Sequence, residues 1–239
     1  MWRSLTNYLV FCKLDFSRGG DVAKRNFFTR VMDDLIQSVV AIKYLSDQGI
    51  HNTCRRELRY SLELSVKACL ISKMSNSIAL SFEQQIDEYK AILKKSDLNL
   101  INAIELSLLA ESAAKELKSE IKRNYGILSR YSHATPFQVS ERLEKEKFGI
   151  TIGFEGEAEM KELNGHAELI YSYIIMLFAH AIPEWVVGDF LVESDGGRNQ
   201  WYFKRSKYVS MLDERFDYKH ERQRSLVIIQ ADRMRDVEF

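Results

Sequence analysis

Apolar residues recur at steps of three and four through most of this chain, and little interrupts the pattern. Phe28, Val31, Leu35, Val39 and Ile42 mark one such face between residues 21 and 48, the stripe expected of an amphipathic helix. Two prolines and eleven glycines punctuate 239 residues, which favours long helices over many short strands. Hydrophobic residues make up 46% and charged residues 28%, the balance of a folded chain with a sizeable core.

Gln48-Gly49 closes the first helix, glycine being the usual residue just beyond a helix end. A second helix is expected from about Asn52 to Lys73, with Leu58, Leu62, Val66, Cys69 and Leu70 on its inner face. Ser75-Asn76-Ser77 is a loop signal. Ser81 with Gln84 forms a capping box for a third helix carrying Phe82, Ile86, Tyr89 and Leu93. A fourth helical stretch, open to interruption, runs from Leu98 to about Ser132 until Pro136 stops it. A fifth spans about Ala158 to Val192. The fold expected is mainly α: an antiparallel bundle over 21–192, after an N-terminal arm over 1–20. A small strand-containing appendage follows over 193–239. Phe148 to Phe154 alternates apolar residues with the period of a strand, and its one candidate partner is Leu226 to Gln230. If the first instead packs as an extended arm on the bundle, the fold is all-α.

Composition excludes several classes. Thirty-four basic residues balance thirty-four acidic ones, so any nucleic-acid contact requires a local patch. Cys12, Cys54 and Cys69 are scattered, so no metal site is expected, and reduced thiols suit the cytoplasm. The first residues have neither the basic region nor the apolar run of a signal peptide. Leu169 to Val187 is about the length needed to cross a bilayer. His180, Pro183 and Glu184 within it argue for a central core helix and no membrane partner. No P-loop, G-x-G-x-x-G, G-x-S-x-G or H-E-x-x-H is present.

Two stripes of ionisable residues remain. Arg59, Glu63 and Lys67 share one helix face at a spacing of four, either as surface ion pairs or as part of a site. Arg123, Gly126, Arg130 and His133 fall within about 80° of one another on a helix. They suit a phosphate site with a histidine base, or cations placed near a helix C-terminus. Gly126 in mid-helix suggests close approach of another backbone.

The R-x-x-x-E-L-x-x-K stretch from Arg59 and the Y-x-x-L-S-x-x-x-H stretch from Tyr125 to His133 resemble an uncharacterised branch of the HEPN-like helical proteins. The resemblance covers about residues 21 to 190. It implies a helical domain, often dimeric, of defence, toxin-antitoxin or RNA-processing systems. Active members are metal-independent ribonucleases, whose motif is an arginine, four to six residues and a histidine. Here Arg130 lies too near His133 and Arg123 too far, so the carry-over supports His133 and leaves the arginine open among Arg130, Arg123 and Arg59. The implied function is a non-catalytic or regulatory subunit that binds a partner protein or nucleic acid. The alternative is an endoribonuclease using His133 with a nearby arginine, and with Glu63 in the same site. The implied partners are RNA or a protein encoded nearby, in a homodimer or hetero-complex, with no cofactor.

The segment from Arg198 to Arg224 interleaves eight basic residues with aromatic rings. Trp201, Tyr202, Lys204, Arg205 and Lys207 are its candidate nucleic-acid contacts, because rings stack on bases and cations hold phosphates. The other reading is a solvated helical segment whose rings pack on the bundle.

Overall fold

The computed structural model describes residues 1–20, 26–73, 80–132, 135–150, 156–222 and 225–239, with the Arg222 side chain left out. Among these residues the chain is helical and contains no strand, only one isolated bridge between Val192 and Arg198. The first helix, α1 (Trp2–Ser17), occupies what the sequence suggested was an arm. Leu5, Leu9, Cys12 and Phe16 recur at steps of four, three and four and are all buried, so an amphipathic face holds it to the core.

The centre is a hairpin of α2 (Phe27–Asp47) and α3 (His51–Lys73). Asn26 caps α2 by accepting a hydrogen bond from the Phe28 amide at 2.8 Å. The turn at Gly49 has φ +68°. There the Ile50 amide donates to the Leu45 carbonyl at 2.9 Å, satisfying a carbonyl the helix end would leave open. α3 packs against α2 on one side and α8 (Glu157–Ala181) on the other. From Ile170 to Ala181, α8 is buried on every side, as a central helix must be. No helix among the described residues is long and apolar enough to cross a membrane.

α4 (Phe82–Leu93) starts at the capping box read from the sequence, with the Gln84 amide donating to Ser81 Oγ at 3.3 Å. The expected fourth stretch is two helices, α5 (Asp97–Ala103) and α6 (Glu111–Ser129), separated by a non-helical link that contains a turn. That link is anchored by the Leu108 amide, which donates to His180 Nε2 at 3.1 Å. Pro136 does not merely end a helix. It is the first residue of α7 (Pro136–Lys147), behind the Thr135 cap. A proline lacks the N–H that a helix start leaves unpaired anyway. The fifth stretch likewise breaks at Ile182-Pro183, so α9 (Glu184–Leu191) is separate from α8.

Both strand expectations need correction where they can be compared. Phe148 caps the C-terminus of α7 and Gly149 is the turn residue after it, while Thr151 to Phe154 lie outside the described residues, as does the Ser75-Asn76-Ser77 loop signal. Leu226 to Gln230 is helical, the first half of α12 (Leu226–Asp236), so the strand-containing appendage is not present. The 193–239 segment is instead a 3-10 turn (Tyr202–Arg205) followed by α10 (Lys207–Glu214), α11 (Asp217–Arg222) and α12. Phe203, Val209, Leu212 and Phe216 belong to the same buried cluster as the bundle.

A buried ion network secures this last segment. Asp213 Oδ2 lies 3.0 Å from Arg198 Nε and 2.8 Å from Arg233 Nε, and Arg233 also donates to Asp217 at 2.6 Å. His220 is fully buried, with Nδ1 2.7 Å from the Gly196 carbonyl and Nε2 3.5 Å from Asp213. Burial alone would lower its pKa, but the Asp213 and Gly196 acceptors outweigh it and raise it above the ordinary 6.5. The stability it contributes is therefore complete below pH 6.5 and is lost as pH rises through the raised value. His220→Gln is expected to remove that alkaline loss, seen as a flatter curve of unfolding free energy against pH from 6 to 9.

Candidate functional site

The first sequence stripe closes into a ring. Arg59 Nε is 2.8 Å from Glu63, Glu63 is 3.6 Å from Lys67, and Lys67 is 3.2 Å from Asp97 of α5. Tyr125 of α6 completes it, donating to Asp97 at 2.6 Å and accepting from Arg59 Nη2 at 2.8 Å. The Arg59 guanidinium also lies over the Tyr125 ring at 4.9 Å. Two cations and two carboxylates cancel, and all five side chains are half-buried. Burial, then the hydrogen bond to Asp97, pushes the Tyr125 hydroxyl up to about 12, so it remains a proton donor at neutral pH. The helices carrying the two motifs do lie side by side, but Arg59 and Glu63 are engaged in holding α5 and α6 to α3.

Arg123 and Arg130 of the second stripe share no ion pair or hydrogen bond with that ring. Arg123 and Arg130 are exposed on α6 and at its end, and the Arg130 guanidinium sits 5.2 Å from the centre of the Phe137 ring. His133 lies outside the described residues. Gly126 is exposed, and a Cβ added there meets nothing within 4 Å. No neighbouring described residue explains the glycine, contrary to the close backbone approach expected from sequence. Gly126→Ala is accordingly expected to stabilise the protein by about 0.5–1 kcal/mol in a denaturant melt, the helix-interior cost of glycine.

Sequence reasoning passed over the polar cluster at the other end of α3. Arg55 is 0% exposed, donates to Asn52 Oδ1 at 3.1 Å, lies 3.3 Å from Glu162 of α8, and covers the Tyr131 ring at 4.7 Å. His166, one turn after Glu162, has its pKa lowered by burial. The four-residue spacing of Glu162 and His166 was a legible signal. The burial of Arg55 was not, since charged residues are seldom fully buried.

α7 stands beside this cluster, and none of its residues is fully buried. On one face Phe137, Phe148 and Ile150 form an apolar floor in a groove of about 510 Å³. Phe148 is 78% exposed. Glu141, Glu144 and Glu159 border that groove against a single cation, Lys145. On the opposite face a pocket of about 360 Å³ lies between α7 and the start of α3.

The tail candidates are all engaged internally. Lys204 lies 3.0 Å from Asp236, Lys207 lies 2.7 Å from Glu116, and Arg205 pairs with Glu238. Trp201 stacks on Tyr8 at 5.5 Å and meets the edge of Phe190 at 4.8 Å, while the Tyr202 hydroxyl donates to Glu168. Their cations face carboxylates, and the Trp201 ring packs on Tyr8 and Phe190.

No protein-family model, curated protein or solved structure matches this chain. Chemistry must therefore be judged from the residues. No group of three or more His, Cys, Asp or Glu among the described residues is arranged to hold a metal ion. All three cysteines are buried, which pushes their thiols up to about 12, 11 and 12 for Cys12, Cys54 and Cys69. Such thiols are poor nucleophiles at neutral pH.

Proposed function

We propose that this chain is a non-catalytic, HEPN-like helical subunit of a defence or toxin-type system that acts by binding a partner protein. The observation that carries this reading is the groove on α7. Its apolar floor of Phe137, Phe148 and Ile150 lies inside a border of three glutamates and one lysine. An apolar face is the usual anchor of a protein contact. The acidic border favours a partner segment that is amphipathic and basic, and it repels the phosphates of RNA. The ring of Arg59, Glu63, Lys67, Asp97 and Tyr125 supports the non-catalytic part, because its charges are already neutralised within the fold.

The test is co-expression of the chain with the product of each adjacent gene, followed by size-exclusion chromatography. One product should co-migrate with the wild type and separate from the Phe148→Asp variant. Phe148 is exposed, so this substitution leaves the core intact. Absence of any complex, a complex indifferent to Phe148→Asp, or retention of RNA through the same face would each overturn the reading.

A further inference from the structure

The last helices leave an apolar surface uncovered. Met211 and Glu214 of α10 line two adjoining hollows. One, of about 470 Å³, is completed by Leu109 and Ala110, just before α6, and by Ala113 in its first turn. The other, of about 210 Å³, is completed by Met234 of α12 and by Val237 just beyond it. Met234 is 89% exposed. Val227, two turns earlier on the same side of α12, is exposed as well, so the groove continues as a stripe along that helix.

Charge in this groove is one-sided. Its cations are matched: Lys207 lies 2.7 Å from Glu116, Arg215 lies 3.8 Å from Glu184, and Arg233 lies 2.8 Å from Asp213. Glu214 lines both hollows, is exposed, and makes no ion pair or hydrogen bond with any described residue. An apolar trough with an unmatched carboxylate at its middle complements an apolar segment that bears a cation. A helix suits it better than a strand, because the groove lies between helices and the described residues offer no sheet edge for a strand to join. Methionine side chains adapt their shape to what lies on them, so Met211 and Met234 favour such a contact.

We propose that the groove between α6, α10 and α12 receives an amphipathic helix of a partner protein. Its apolar face lies on Leu109, Met211, Met234 and Val237, and a lysine or arginine meets Glu214. No residue lines both this groove and the one on α7. The chain thus holds two segments at once, and the second site stands independently of the first.

The test uses the full chain carrying Phe148→Asp, which removes the α7 groove, and two labelled synthetic helices of about 15 residues. One is an amphipathic helix of leucine and lysine, and the other has glutamate in place of each lysine. The lysine helix is expected to bind at one per chain, about tenfold or more tighter than the glutamate helix. Glu214→Gln should narrow that preference about threefold, and Met234→Asp should weaken binding about tenfold. Both residues are exposed, so neither variant threatens the fold. Methyl NMR of the methionines locates the contact: the Met211 and Met234 signals should shift, while those of the buried Met32 and Met176 stay in place. Equal affinity for the two helices, binding unchanged by Met234→Asp, or unmoved Met211 and Met234 signals would each overturn the proposal. So would a dimer of the chain alone, seen by sedimentation and abolished by Met234→Asp, because a second copy would then occupy the groove. Complex formation through α7 is measured with Phe148 intact, so each reading fails on its own result.

Discussion

Asp213→Ala is expected to cost about 3–5 kcal/mol, the range for removing one partner from a buried ion network. Asp213 is 1% exposed and holds Arg198 and Arg233 through the same oxygen. Its loss leaves Arg198 with the Lys204 carbonyl at 2.8 Å and Arg233 with Asp217, neither of which replaces the shared charge. Urea unfolding at pH 7 measures the effect directly, and a fall in Tm of roughly 10 °C should accompany it. Asp217→Ala, at a more exposed position, should cost far less. A loss below about 1 kcal/mol for Asp213→Ala would mean that the network is not what holds the last three helices in place.

The second large effect is on the acid side. His180 donates from Nδ1 to the Met176 carbonyl at 2.6 Å and accepts the Leu108 amide at Nε2. Only the neutral ring can do both. Burial is the main cause that drives its pKa down from 6.5 to about 4. With the folded value depressed, its contribution is complete above pH 6.5 and is lost as pH falls toward 4. The loss amounts to about 3 kcal/mol, at 1.36 kcal/mol per pH unit. Unfolding free energies of wild type and His180→Gln should therefore converge as pH falls over this interval. Curves that stay parallel would show that the ring is not held neutral. His180 and His220 thus act in opposite directions, one losing its contribution toward acid and the other toward alkali.

Local rules explain the parts of the fold that were legible. The α2–α3 hairpin follows from a three-and-four repeat ended by Gly49, and α4 from the Ser81–Gln84 capping box. What escaped depended on ambiguity or on distant contacts. Pro136 carries the same meaning after one helix as at the start of the next, so α7 was hidden behind a stop signal. Leu226-Val227-Ile228-Ile229 is too short and too apolar to separate strand from helix by period alone. Its helical state places Arg233 one turn beyond Ile229, where it meets Asp213. The apolar period of α1 is legible in Leu5, Leu9, Cys12 and Phe16, but a period of four residues in a single short segment does not say what core it packs on.

At the candidate site the same division holds. The spacing of Arg59, Glu63 and Lys67 was visible, whereas Asp97 and Tyr125, which close the ring, arrive from two other helices. The acids that pair with the basic tail residues are distant in sequence, so their pairing was not legible: Glu116 for Lys207, Asp236 for Lys204 and Glu238 for Arg205. The two faces of α7 were invisible, since no pattern within twelve residues reveals what a helix leaves uncovered.

Incubating the purified chain with structured and unstructured RNA in EDTA, beside His133→Ala, bears most directly on the non-catalytic reading. Neither protein should cleave either RNA. Cleavage by the wild type that disappears in His133→Ala would contradict it and make the chain a metal-independent ribonuclease.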